Sequence, residues 1–182
     1  GGSVNPVIPD HAQNAGGNLD IESALTTLFT KAGAQKVQFS SVTTKDGELG
    51  SVYALYSADV ATAKETFPKL TEFPINIALV DLNKDGSPEA IVWENLPGVC
   101  GSGGCPLEMY HKIDGVWKMF YSDQSGSVLG ISTLTTKGYA NILLPSLGEV
   151  GYQSDIILYV YNGITYVPNK VVATWNGNQF TQ

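Results

Sequence analysis

Asp81, Asn83, Asp85, Ser87 and Glu89 place an oxygen-bearing side chain at every second position of a short stretch, and Gly86 permits a sharp turn among them. That pattern suits a loop wrapped around a hard divalent cation. Calcium takes about six to eight oxygen ligands, so Asp81, Asn83, Asp85 and Glu89 would offer side-chain oxygens and Ser87 its backbone carbonyl. Without a cation, the carboxylates of Asp81, Asp85 and Glu89 would repel one another in so tight a loop. The competing reading is a turn that needs no ion, because Asp, Asn and Gly favour turns on their own account. An ion held here is expected to be structural, fixing the adjoining strands.

A second concentration of chemistry lies between Cys100 and Cys105, which enclose Gly101, Ser102, Gly103 and Gly104. Two thiols fall short of a tetrahedral zinc set, and the spacing is longer than that of a redox-active C-x-x-C pair. A disulfide is expected, adding roughly 2 kcal/mol in the chain-entropy picture and belonging to an oxidising compartment. The glycines would permit a tightly closed loop. Alternatively, their N–H groups, with Ser102, would face an anion or a protein partner.

The residues argue against an enzyme. His11 lies in the Gly-, Asn- and Pro-rich start, and alternation along the strand around His111 puts it on the face of Leu107, Met109 and Ile113, the place of a histidine at the edge of the core. No nucleophile elbow, phosphate loop or paired-histidine metal motif is present. Asp81, Asp85, Glu89, Glu94 and Glu108 cluster in sequence, but a glycosidase needs two carboxylates at a defined separation across a cleft, and calcium or solvent accounts for most of these.

The charge balance narrows the partners. Net charge is −7, with ten lysines and no arginine, so neither a basic surface nor a guanidinium fork exists for nucleic acid, and an anionic membrane surface is disfavoured too. No apolar run approaches the ~20 residues of a membrane-spanning helix. Residues 1–17 read as a flexible segment of the kind found between a removed signal or lipid anchor and a folded body, with residues 18–182 as one β-rich domain.

The elements that must position these groups are mostly hairpins. An amphipathic helix opens the domain, capped by Asn18 or Asp20, buried through Ile21, Ala24, Leu25, Leu28 and Phe29, and stopped at Gly33. A shorter helical turn is expected from Ala58 to Thr66. Asp-Gly or Asn-Gly pairs at Asp46-Gly47, Asp114-Gly115, Asn162-Gly163 and Asn176-Gly177 mark tight hairpins; in the third, Tyr161 would face Ile164 and Tyr159 would face Tyr166. The fold class is therefore mainly β, with α+β as the alternative, built as an antiparallel hairpin meander.

A weak internal repeat runs through it. Gly86, Ala90-Ile91-Val92 and the hairpin from Leu107 to Phe120 are echoed by Gly138, Ile142-Leu143-Leu144 and the hairpin from Ile157 to Val167. Shifted by 52 residues, the ligand positions become Thr133, Thr135, Lys137 and Asn141, so only the first copy is fitted for calcium. The repeat suggests propeller-blade ancestry.

The loop ends at Glu89, its ninth position, between two strand-like runs, whereas a helix-loop-helix calcium site would need an acid at Val92. It resembles the D-x-N-x-D-G-x-x-D/E loop of FG-GAP and VCBS-type repeats in secreted and cell-surface proteins. A wider similarity, over residues 77–168, is to bacterial secreted and lipoprotein-like proteins of uncharacterised function that carry D-L-N-x-D-G-x-x-E, an apolar strand, C-G-x-G-G-C and a tryptophan-containing hairpin. The resemblance implies a calcium-stabilised, disulfide-stapled, extracytoplasmic domain, periplasmic, secreted or held at the cell surface. Its partner would be a protein or a glycan. Tyr110, Trp117, Tyr121, Tyr159 and Tyr161 would form a binding face or pack in the core. Two other readings stay open: an inhibitor or immunity protein against a cell-wall hydrolase, presenting Gly101 to Gly104, and a purely structural ancillary domain of a lipoprotein.

Overall fold

The computed structural model describes residues 21–42, 61, 65–69, 75–96, 98–101, 104–126, 128–146 and 154–182. The expected 1–17 segment, the caps at Asn18 and Asp20, the Asp46-Gly47 hairpin, most of the 58–66 helical turn, and Ser102 and Gly103 lie outside them.

Helix α1 (21–31) buries Ile21, Leu25, Leu28 and Phe29, the stripe that its apolar spacing requires. It ends as expected: Ala32 N donates to Leu28 O, and Gly33 turns the chain at φ +72, a conformation that costs glycine little.

The strands form two antiparallel sheets. The first joins β2 (Ser40–Val42), β3 (Ile75–Val80), β4 (Glu89–Trp93), β5 (Cys105–Ile113) and β6 (Val116–Ser125) in that order. The second joins β1 (Ala34–Lys36), β7 (Gly130–Thr136), β8 (Tyr139–Pro145), β9 (Ser154–Tyr161), β10 (Tyr166–Trp175) and β11 (Phe180–Thr181). The sequence echo thus corresponds to a topological one, since the meander β3–β6 recurs as β7–β10 with a short early strand flanking each.

The two meanders share one apolar layer. Ala78, Ile91, Leu107, Met109, Phe120 and Tyr121 of the first sheet meet Ala140, Ile142, Leu144, Tyr159, Tyr161 and Tyr166 of the second. On β9, Ile157 and Tyr159 face this layer while Ile156 and Leu158 face α1, as the period of two demands. The first sheet is apolar on its other face as well, where Ile75, Ile77, Ala90, Val92 and Leu96 gather with Tyr110 and Trp117. Of the residues considered for a binding face, Tyr121, Tyr159 and Tyr161 are buried in the core, while Tyr110 and Trp117 are partly buried on the other face of the first sheet.

Two hairpins depart from the expected register. The Asp114-Gly115 turn is the tight two-residue form, closing Ile113 on Val116 with φ of +51 and +78. At Asn162-Gly163, however, Tyr161 pairs with Tyr166 and not Ile164, and Tyr159 with Pro168 and not Tyr166. The cause is the Asn162 side chain, whose Oδ1 accepts from Ile164 N at 2.8 Å and Thr165 N at 2.9 Å, drawing two further residues into the loop. Asn176 does the same with Asn178 N and Gln179 N, so Trp175 pairs with Phe180. A bulge shifts the β5–β6 register after Met109, so the consecutive Phe120 and Tyr121 both reach the core.

Helix α1 sits on the second sheet because Gly130 leaves room for Phe29: a Cβ there would lie 2.9 Å from Phe29 Cδ2. Gly130→Ala is expected to cost about 1–3 kcal/mol by urea denaturation. Much of that loss should return in the double variant with Phe29→Leu; additive losses would show that the contact is not the cause.

Candidate metal centre

The β3–β4 connection is the expected loop. Val80 pairs with Glu89 at its base, so Asp81 and Glu89 are held close by the ladder while Leu82 turns into the core and residues 83–88 swing outward. The chain can fold back so sharply because Lys84 and Gly86 both take positive φ, +60 and +88.

Inside the loop the backbone N–H groups turn toward the acidic side chains. Asp81 Oδ1 accepts from Asp85 N at 3.2 Å and its Oδ2 from Gly86 N at 2.9 Å. Asp85 Oδ1 accepts from Ser87 N at 2.8 Å, and Asn83 Oδ1 from Asp85 N at 3.2 Å. These bonds leave lone pairs to spare, since an ionised carboxylate accepts at about four sites. One ligand atom from each of Asp81, Asp85 and Glu89 lies within 4.8 Å of the others. These three carboxylates can hold a metal ion.

Glu89 differs from its neighbours. Asp85 is exposed and Asp81 half-buried, but Glu89, the first residue of β4, is only 3 % exposed. Its Oε2 accepts from Leu82 N at 2.6 Å. Burial raises its pKa above the ordinary carboxylate value; the Leu82 N–H works the other way, and the charges of Asp85 and Asp81 push it up further. A cation beside this carboxylate would offset the repulsion of its two acidic neighbours.

The loop is also tied to the opposite sheet. Leu82 O accepts from Ala140 N at 2.8 Å, and Asn83 Nδ2 donates to the Tyr139 hydroxyl at 3.4 Å. Both partners lie on β8, whose own turn is the second-copy equivalent of the loop. There Lys137 and Gly138, at φ +50 and +86, close a two-residue turn. Lys137 Nζ donates to Asn162 O at 3.1 Å, and Asn141 Oδ1 accepts from Thr136 Oγ1 at 2.7 Å. The second copy gathers no acids.

The other candidates fall elsewhere. Glu108 accepts from the Tyr110 hydroxyl at 3.0 Å, and Glu94 is buried beside the cysteine loop, its N donating to Pro106 O. Among the described residues, Asp81, Asp85 and Glu89 are the only acidic, histidine or cysteine cluster that could hold a metal. Cys100 and Cys105 are joined in a disulfide, which suggests an oxidising, extracytoplasmic setting. Gly101 N and Gly104 N donate to each other's carbonyl oxygens at 2.9 and 3.1 Å, so these two N–H groups are turned into the loop and away from any anion. No described helix is long and apolar enough to cross a membrane.

His111 stands at the core edge as its strand position implied, half-buried with its ring 4.7 Å from Phe120. What sequence reasoning missed is Tyr139, which brings the loop and His111 together from 56 and 28 residues away. Only the repeat, which aligns β8 with the strand after the loop, pointed to that neighbourhood.

A carboxyl whose pKa is raised in the fold adds stability below its unfolded value, near 4.5, and that contribution is lost as pH rises through the folded pKa. In chelator, the melting temperature of the wild type relative to Glu89→Gln should therefore fall as pH rises from about 4 to 7. Parallel curves would show that the Glu89 charge is not strained.

No family model, curated protein or solved structure matches this chain.

Proposed function

We propose that the protein is an extracytoplasmic binding domain, for a protein or glycan partner, whose two sheets are clasped by a calcium ion in the 81–89 loop. The observation that carries the reading is the convergence of Asp81, Asp85 and the buried Glu89 on a loop whose backbone bonds to β8. Asn83 Oδ1 and the Ser87 carbonyl complete an all-oxygen set of the kind that calcium prefers over zinc or copper. Calcium suits the loop better than magnesium, because hydrogen-bonded donors on a short, mostly exposed turn do not enforce a strict octahedron.

The ion's role is structural. It neutralises charges that Glu89 cannot shed by moving to solvent, and it holds Leu82 where its carbonyl meets Ala140. The Cys100–Cys105 disulfide closes the neighbouring β4–β5 connection by a second, metal-independent means. The absence of arginine and the net charge of −7 favour a partner other than nucleic acid.

The test is thermal unfolding followed by tryptophan fluorescence, with calcium and with excess chelator, on the wild type and Asp85→Ala. Extracellular sites bind at ~0.1–1 mM, and at about ten times Kd the stabilisation is near 1.4 kcal/mol, or roughly 3–6 °C here. The shift should vanish in Asp85→Ala. Terbium in place of calcium should show luminescence when tyrosine is excited, because Tyr139 borders the loop, and Tyr139→Phe should dim it. A midpoint indifferent to chelator, together with dark terbium, would reduce the loop to an ordinary turn.

A further inference from the structure

We propose that Tyr139 is a positioning residue of the calcium loop, and that through its hydroxyl calcium binding and protonation of His111 oppose one another. The inference rests on the calcium reading above and adds a regulation to that site.

Tyr139 is held firmly. Its ring stacks on Tyr161 with centroids 4.0 Å apart and meets the edge of Phe120 at 5.8 Å. The hydroxyl then has two polar neighbours, Asn83 Nδ2 at 3.4 Å and His111 Nδ1 at 3.3 Å. A phenol carries one proton, so the roles of these three groups are linked.

When Asn83 turns Oδ1 to the metal, its amide NH₂ is left facing Tyr139, whose oxygen must accept. The Tyr139 proton then goes to His111 Nδ1, which can accept only in the neutral tautomer with its proton on Nε2. A protonated His111 asks for the reverse. Its Nδ1–H needs the Tyr139 oxygen as acceptor, and the Tyr139 proton is best placed on an Asn83 oxygen, which requires the amide to turn and withdraw Oδ1 from the metal. Each state of the imidazole thus favours one orientation of a calcium ligand.

The other groups around His111 lean the same way. On β6, Lys118 lies opposite it in register, and burial together with the Lys118 charge lowers its pKa. The Phe120 ring covers it from β6, and from β8 Tyr139 is the titratable group that touches it. A phenol ionises at about pH 10, well above the range in which a histidine titrates, so the Tyr139 hydroxyl remains a donor throughout it.

The experiment measures calcium binding by isothermal titration at pH 5.5 and 7.5, and the His111 tautomer and pKa by ¹⁵N NMR with calcium and with chelator. Wild type, Tyr139→Phe and His111→Gln are compared. In the wild type, calcium should fix the Nε2–H tautomer and lower the His111 pKa, and by reciprocity affinity should fall about five- to tenfold on acidification. Tyr139→Phe keeps the ring stack and should still bind calcium, within about tenfold of the wild type, but the His111 tautomer should no longer respond to the ion. His111→Gln, which leaves Tyr139 in place, should lose the part of the pH dependence that passes through the imidazole and keep the part due to protonation of the acidic ligands. Wild-type calcium binding with an unchanged His111 titration would overturn the inference, as would coupling that survives in Tyr139→Phe, the mark of a through-space effect. No heat of binding at either pH would instead overturn the calcium reading itself, and this inference with it.

Discussion

The peptide groups flanking Leu82 carry the constraint on which the rest of the structure depends. Its N–H is held by the buried Glu89 carboxylate, its carbonyl by the Ala140 N–H of the opposite sheet, and its side chain is fully buried between the sheets. The line continues, since Ala140 O accepts from the Tyr166 hydroxyl at 2.6 Å. Four segments, β4, the loop, β8 and β10, are thereby locked across the core. The lock places an ionisable carboxylate almost out of reach of solvent, beside two other acids, a conflict that a bound cation would resolve without sacrificing the hydrogen bond to Leu82.

The same meander is used twice with different chemistry at the first turn. In β7–β8 the turn is two residues long and its lysine reaches the β9–β10 loop, where the ammonium donates to the Asn162 carbonyl. In β3–β4 the turn is lengthened and acidic. Because the two turns lie at the same end of facing sheets, the lengthened one lands on the short one, and Asn83 and Leu82 find Tyr139 and Ala140. Repetition places the contact, and the divergence of the two copies gathers acids on one side of it only.

Much of this was legible in the residues because it is local. The stripe from Ile21 to Phe29 marks a helix, Gly33 its end, Asp114-Gly115 a tight turn, and the alternating oxygens of 81–89 a loop whose acids converge. What escaped were effects that depend on a side chain bonding to its own backbone or on distant pairing. Asn162 and Asn176 widened their turns through Oδ1, which moved the register by two residues and turned the Tyr161 partner from Ile164 into Tyr166. The bulge after Met109, which sends both Phe120 and Tyr121 inward, has no signature in strict alternation. Tyr139 could not be assigned to the loop because nothing within either segment points to the other.

The most direct measurement is amide hydrogen exchange at Leu82 and Ala140 with calcium and with chelator, read against Asn176 N–H, which bonds to Gln179 O at 3.1 Å in the β10–β11 turn. Exchange at the first two amides should slow markedly when calcium is added while that of Asn176 stays constant, because a bound ion would fix the loop whose peptide groups join the sheets. Calcium binding that leaves Leu82 and Ala140 exchanging as before would contradict the clasp.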